Sequence, residues 1–308
     1  MAHSYWRINI TATGGGFATA RSIKMYDAGG SSLCSGGTAT ASSHNDAGQD
    51  APSAFDSSDA TEWYSLSATS WIRYQFASPV DVATVWYMWG ENPNEGPTAF
   101  TVQYSDDGSS WTTAASFSGV SWMNITSNTL GGRSFAVAAP GAGYYLSYRV
   151  NVTATTSGNP VISAFEMATT SGGSNIASGN GSEAGAGGIY AKDDDGLNYA
   201  LFGFDGGDST NWIANSSPSW LSYNFKTPQN IVEFKIRNHS SVTTGSPTAF
   251  DFEASIDGGV TWVTLSSRSG VTWPSAGFTR TFDAIASAPT FQAVWAARSN
   301  QIIGANNV

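Results

Sequence analysis

Read against itself, the sequence repeats at an offset of about 149 residues, and no other feature limits the fold so strongly. Ala54-Phe55-Asp56-Ser57-Ser58-Asp59-Ala60-Thr61-Glu62-Trp63 returns as Gly203-Phe204-Asp205-Gly206-Gly207-Asp208-Ser209-Thr210-Asn211-Trp212. Ser70-Trp71-Ile72-Arg73-Tyr74-Gln75-Phe76 returns as Ser219-Trp220-Leu221-Ser222-Tyr223-Asn224-Phe225, and Pro97-Thr98-Ala99-Phe100 recurs unchanged at Pro247-Thr248-Ala249-Phe250. Residues 105–111 match 255–262, and 118–122 match 269–273. The order is kept and the spacing drifts by only a residue or two, so the 308-residue chain carries one design written twice. That agrees with the domain count its length suggests.

A further block has a shorter offset: Tyr5-Trp6-Arg7-Ile8-Asn9-Ile10-Thr11-Ala12-Thr13 matches Ser147-Tyr148-Arg149-Val150-Asn151-Val152-Thr153-Ala154-Thr155. Each copy runs on through a loop to a second apolar segment, Ser22-Ile23-Lys24-Met25 and Ala164-Phe165-Glu166-Met167. Period-2 alternation with β-branched and aromatic residues predicts a β-hairpin in each place, over 5–26 and 145–167. Elsewhere short alternating runs are punctuated by turn signals such as Asp107-Gly108 and Asp257-Gly258. No stretch carries a sustained 3.6-residue stripe, so each unit is expected to be an all-β sandwich with little helix. Charged residues are only 12% of the chain, but 41% are hydrophobic and 13% aromatic, which is ample for two cores and excludes global disorder.

The ordered motifs resemble one family. An Ala-Thr-Ala-Ser-Ser run at 39–43, Ala-Phe-Asp…Thr-x-Trp, Trp-Ile-x-Tyr-x-Phe, Pro-x-x-Phe-x-Val-x-x-Ser-x-Asp-Gly-x-x-Trp and Tyr-x-Arg-Val-x-Val are similar to the discoidin, or coagulation factor 5/8 type C, domain. The resemblance implies two tandem galactose-binding-like jelly rolls whose loops at one end bind glycans, and sometimes lipid head groups or proteins. In that family the Tyr-x-Arg segment closes the domain, whereas here one copy opens the chain. Two assignments follow. Either each unit is permuted with its hairpin first, giving 1–142 and 143–290, or the middle hairpin closes the first unit and the second lacks one. Permutation is preferred, because jelly-roll termini lie close together. Residues 291–308 form a tail outside the repeat.

The Asp-x-x-Asp-x-Thr loops are the metal candidates, since a hard cation needs several oxygens at once. The resemblance implies a structural calcium completed by the hairpin glutamate, so the second unit's set is Asp205, Asp208, Thr210 and Glu166. In the first unit the hairpin position is Lys24, whose ammonium would face Asp56 and Asp59 and replace the ion. The plainer alternative is that these aspartates only cap a turn. Trp63, Trp71, Trp111, Trp212, Trp220 and Trp262 occupy equivalent places in both copies, which predicts core packing. Trp122 and Trp273 are left open between core and ligand. Unrepeated loop residues are the ligand-binding candidates: Trp89, Glu91, Asn92 and Asn94 in the first unit, and Arg237, Asn238 and His239 in the second. A sugar offers an apolar face for an aromatic to stack on and a rim of hydroxyls for amide, carboxylate, imidazole or guanidinium groups.

Catalysis is not expected. The three histidines stand in dissimilar contexts, and no metalloprotease, nucleophile-elbow or phosphate-loop motif is present. Asp193-Asp194-Asp195-Gly196 reads as a solvated acidic turn or a calcium turn. A net charge of −10 with only 13 basic residues argues against nucleic acid as a partner. No apolar run is long enough to span a membrane, and the opening residues carry no secretory pattern. The single cysteine, Cys34, forms no intramolecular disulfide, which fits assembly in a reducing compartment. A glycan-binding fold built in such a compartment suggests a virion component, assembled in the host cytoplasm and exposed on the particle. Tandem units of this style look like those of bacteriophage tail fibres, tail tips and capsid spikes. The expected function is therefore attachment to host-cell surface carbohydrate, by an oligomer in contact with other virion proteins. The alternative is a decoration or scaffold protein of the virion that binds no glycan.

Overall fold

The computed structural model describes residues 1–284 except 59, 91, 123–130, 179–186, 198 and 208; the tail at 291–308 lies outside the described residues. Among them, the strands from β1 (His3–Thr13) to β10 (Gly132–Ala136) build one sandwich and those from β11 (Tyr145–Thr155) to β20 (Thr279–Asp283) a second. The first also contains β2 (Thr19–Ala20), β3 (Ser22–Tyr26), β4 (Thr38–Ala41), β5 (Trp63–Tyr64), β6 (Ser70–Val80), β7 (Thr84–Met88), β8 (Pro97–Ser105) and β9 (Thr112–Ser118). The second contains β12 (Val161–Ile162), β13 (Ala164–Ala168), β14 (Gly187–Ala191), β15 (Trp212–Ile213), β16 (Ser219–Gln229), β17 (Glu233–Arg237), β18 (Pro247–Ser255) and β19 (Val263–Arg268).

The two sandwiches have the same topology. A five-stranded antiparallel sheet runs β4-β6-β1-β8-β9 in one and β14-β16-β11-β18-β19 in the other. Each faces a three-stranded sheet, β10-β7-β3 or β20-β17-β13, and helix among the described residues amounts to three short 3-10 turns. The architecture is all-β, a pair of jelly rolls. The alternation of the central strands explains the layering: Trp6, Ile8 and Ile10 of β1 point into one core, while Tyr5, Arg7 and Asn9 point outward.

Two expectations need correction. The segments 5–26 and 145–167 are not hairpins: β1 pairs with β6 and β8 at the centre of the large sheet, while β3 pairs with β7 in the opposite one. β11 and β13 are separated in the same way. The physical reason is that alternation records which face of a strand is buried and not which strand it pairs with: the loop after β1 carries the chain across to the opposite sheet, where all five residues of β3 are buried. The second correction concerns the repeated tryptophans. Trp63 and Trp212 are fully buried, but Trp71, Trp111, Trp220 and Trp262 are half-buried on the outward face of the large sheets, packed against arginines. Trp122 and Trp273 belong to the cores, each donating its indole N–H to a proline carbonyl, Pro97 and Pro247.

The sandwiches meet through β10. Ala136 donates its N–H to the Ile256 carbonyl at 2.9 Å and packs in the second core, and Ser134 Oγ donates to the Phe225 carbonyl at 2.6 Å. The buried Arg133 guanidinium bonds the Gly258 carbonyl and lies 3.7 Å from the Tyr190 ring centroid.

Candidate binding site

One end of the first sandwich gathers the loop after β1, the strand β5 and the 3-10 turn Pro93–Glu95 that follows β7. Glycines make the gathering close. A Cβ on Gly14 would lie 3.1 Å from the Asn94 carbonyl oxygen, and one on Gly90 would strike the Glu62 carboxylate. Gly90 instead donates its N–H to Thr19 Oγ1 at 3.1 Å, which fixes the loop beneath the turn. Asn92 caps the turn by accepting the Asn94 N–H at 3.0 Å.

The aromatic component is Phe17, 39% exposed, with its ring 5.2 Å from that of Tyr64. The Tyr64 hydroxyl donates to Glu95 Oε1 at 3.3 Å. Burial and then the Glu95 and Glu62 carboxylates raise this phenol above its ordinary value, so it stays a neutral donor. Asn92 and Asn94 are exposed on the same rim, and Leu66 stands 58% exposed in the loop that follows Tyr64. An open aromatic plate edged by amide and carboxylate groups is the arrangement that holds a sugar ring face-on and reads its hydroxyls.

Several expected site residues are placed differently. Trp89 is 9% exposed and packs in the core, so it offers a ligand no stacking face. Asn238, its counterpart in the second sandwich, is fully buried and spent on structure. It donates to Ser246 Oγ and the Ser275 carbonyl and accepts the Phe278 N–H at 2.7 Å. A residue at the end of the inner-sheet strand faces inward in both copies, and that is the reason for both corrections. Arg237 is half-buried with Nε on the Gly277 carbonyl, and His239 Nδ1 accepts the Ser241 N–H at 2.9 Å. Glu91 lies outside the described residues. The two aromatics that face each other at this end, Phe17 and Tyr64, are not among the residues the sequence singles out. Both meet the criterion of being unrepeated, since the second copy has Ile213 in place of Tyr64 and no aromatic in its Ser157-Gly158-Asn159 loop.

The aspartate loops are tightly self-bonded. Asp205 accepts the Gly207 N–H at 2.7 Å and the Thr210 hydroxyl at 2.8 Å, and Asp56 likewise accepts Ser58 N–H and Thr61 Oγ1. Glu166 is engaged with Lys235 at 3.8 Å, and Asp208 and Asp59 lie outside the described residues. Among the described residues, no three His, Cys, Asp or Glu side chains gather as a metal would need. Asp205 and Thr210 alone fall short of the roughly six to eight oxygens calcium takes. In the first sandwich, Lys24 Nζ donates to Ser57 Oγ of the corresponding loop. The acidic turn at 193–196 is likewise structural: Asp193 accepts from Asn215 N–H and from the hydroxyls of Ser216 and Ser219.

Compared with known proteins, the chain matches one family model, described as the F5/8 type C domain, over residues 38–167 and 189–292. No curated protein and no solved structure matches it. The first matched segment ends on β11 to β13, strands that pair within the second sandwich, while β1 to β3 hold the equivalent places in the first.

Proposed function

The chain belongs to the F5/8 type C domain family, and on that premise we propose that it is a non-catalytic recognition protein of a bacteriophage virion. It attaches to host-cell surface carbohydrate through the loop end of its first sandwich. The observation that carries the reading is the exposed Phe17 ring against Tyr64, with Glu95, Asn92 and Asn94 on its rim. Arg237 and His239 are the second sandwich's contribution. The virion setting is supported by a binding fold that carries one thiol, the half-buried Cys34, and no disulfide. Oligomerisation and contacts with other virion proteins complete the proposal, because weak single sites gain through avidity.

Binding of the purified chain to whole host cells and to a glycan array tests this. The wild-type chain is expected to bind, and Phe17→Ala to lose about tenfold or more while keeping its unfolding temperature. A chain that binds neither cells nor glycans is the scaffold protein of the alternative reading. The calcium ion of the second sandwich remains part of the proposal. It would draw on Asp205, Asp208, Thr210 and Glu166, with Glu166 released from Lys235. Calcium is then expected to raise the unfolding temperature, EDTA to reverse the rise, and Asp205→Asn to abolish it. An unfolding temperature indifferent to both removes the ion.

A further inference from the structure

A separate surface lies on the outward face of the first five-stranded sheet. Strand register aligns Thr40, Arg73, Arg7, Gln103 and Thr113 in one row across all five strands. Side-chain bonds tie most of the row together. Arg73 Nε donates to Thr40 Oγ1 at 2.7 Å, Arg7 Nε to Gln103 Oε1 at 2.6 Å, and Gln103 Nε2 to Thr113 Oγ1 at 3.2 Å. Aromatic rings frame it: Trp111 is 4.1 Å from the Arg7 guanidinium, and Trp71 and Tyr5 are 5.3 and 5.7 Å from that of Arg73. All five framing and charged residues are half-buried, so each keeps an open side.

Two arginines directly opposite each other on neighbouring strands repel, and a sheet normally avoids such a pair. The chain has only 13 basic residues against a net charge of −10, yet it places two of them here. Among the described residues neither has an ion pair and the terminal N–H groups of Arg7 make no hydrogen bond, while Arg73 Nη1 donates to the Gly108 carbonyl at 3.0 Å. The second sandwich shows how the same row looks when it is neutral. There Ser222 stands opposite Arg149, and Glu253 on the other flank holds Arg149 Nε at 2.6 Å. Its Trp262 and Trp220 frame Arg149 as Trp111 and Trp71 frame the first pair. One edge of that face is also covered, because Arg133 of the first sandwich lies over Tyr190 beside fully buried Asn224. The first sheet has kept the aromatic frame, added a cation and replaced the glutamate by Gln103.

We propose that this face binds an acidic saccharide of the uronic-acid class, with its carboxylate between Arg7 and Arg73 and its ring over the flanking aromatics. Paired guanidinium donors match a carboxylate's two oxygens. Neutral donors and acceptors in and beside the row, Thr40, Gln75, Asn9, Gln103 and Thr113, suit sugar hydroxyls. The overall negative charge does not forbid this. At physiological salt the Debye length is about 8 Å, so a carboxylate touching both guanidiniums responds to them first, and the nearest acid, Asp107 beside the Gly108 carbonyl that Arg73 bonds, is exposed and screened. A polyphosphate lacks hydroxyl-rich rings to use the frame. The surface is distinct from the loop end, since Arg7 stands six residues before the last residue of β1, about 20 Å along the strand.

The test is calorimetric titration of the full chain with oligogalacturonate and with the corresponding neutral galactose oligosaccharide. Oligogalacturonate is expected to bind and the neutral oligosaccharide to bind about tenfold or more weakly. Gln103→Glu supplies the first sandwich with the carboxylate that the second already tolerates, so it pairs Arg7 and lowers the row's charge from two positive to one without emptying it. It and Arg73→Gln are each expected to weaken oligogalacturonate about tenfold, with salt acting in the same direction. Phe17→Ala is expected to leave that binding unchanged, so the loop-end reading and this one fail separately. No binding of oligogalacturonate, equal binding of the neutral sugar, indifference to both row substitutions, or tighter binding of a DNA oligonucleotide would each overturn the proposal.

Discussion

Asp107 and Asp257 occupy the same turn of the repeated motif, and their surroundings separate what that residue does from what it costs to lose. Asp107 is exposed and accepts the Ser109 and Ser110 N–H groups at 2.8 and 2.7 Å. These bonds, with the Ser105 hydroxyl, hold its carboxyl well below the usual carboxylate range. Its folded value being depressed, the contribution is complete above the unfolded value near 3.9 and fades as pH falls below it. Asp257 makes the same kind of turn, bonding Val260 and Thr261 N–H and the Ser255 and Thr261 hydroxyls, but it is fully buried where the first sandwich covers it. Asp257→Ala is therefore expected to cost about 2–4 kcal/mol, because the buried Ser255 hydroxyl and the part-buried N–H groups of Val260 and Thr261 lose their acceptor at once. Asp107→Ala, whose donors are reached by water, is expected to cost distinctly less. Denaturant unfolding of the two variants measures the difference, and equal losses would mean that the covering sandwich adds nothing to the turn.

At the scale of elements, the repeat and the alternation made the strands and the all-β class legible, whereas their partners were not. The two segments of residues 5–26 alternate and follow each other, which is all a hairpin needs in sequence, yet five consecutive buried residues in β3 belong to an inner sheet. Repetition of Trp71 and Trp111 in Trp220 and Trp262 likewise showed that a role recurs without showing that the role is to pack on an arginine. Of the candidate site, the unrepeated loop after β7 was found, but Phe17 and Tyr64 join it only through folding, from loops far apart in the chain. Nor could a repeat announce how its copies touch. At the contact of β10 with β14, Gly188 lies so close to Gly132 that a Cβ would strike its carbonyl oxygen. Gly188→Ala is expected to destabilise the joint by about 1–3 kcal/mol, an overpacking cost, while leaving each core intact. Calorimetry reads this as one transition broadening or dividing into two; an unchanged single transition would show that the joint yields without cost.

For the whole molecule, the two cores and the joint between them each hold buried phenols, and alkali probes them together. Tyr87 in the first core, Tyr148 and Tyr223 in the second, and Tyr190 at the joint are all fully buried, and burial raises each above its ordinary value. Tyr190 is pushed up to about 12 by burial, against the opposing pull of Arg133. Below the unfolded value near 10 these phenols are neutral in both states and stability is complete. As pH rises through 10 the unfolded chain releases protons that the folded chain keeps, so unfolding becomes easier; the loss continues up to the folded values, about 12 for Tyr190. Thermal unfolding followed at increasing pH is expected to show a falling unfolding temperature beginning near pH 10, with phenolate absorbance of the buried group appearing only on unfolding. Gly188→Ala adds a discriminating step. If it opens the joint, Tyr190 alone meets water and titrates in the folded protein ahead of Tyr148 and Tyr223. If all the buried phenols titrate together in both proteins, the joint and the cores open as one unit, and the two sandwiches share a single cooperative structure.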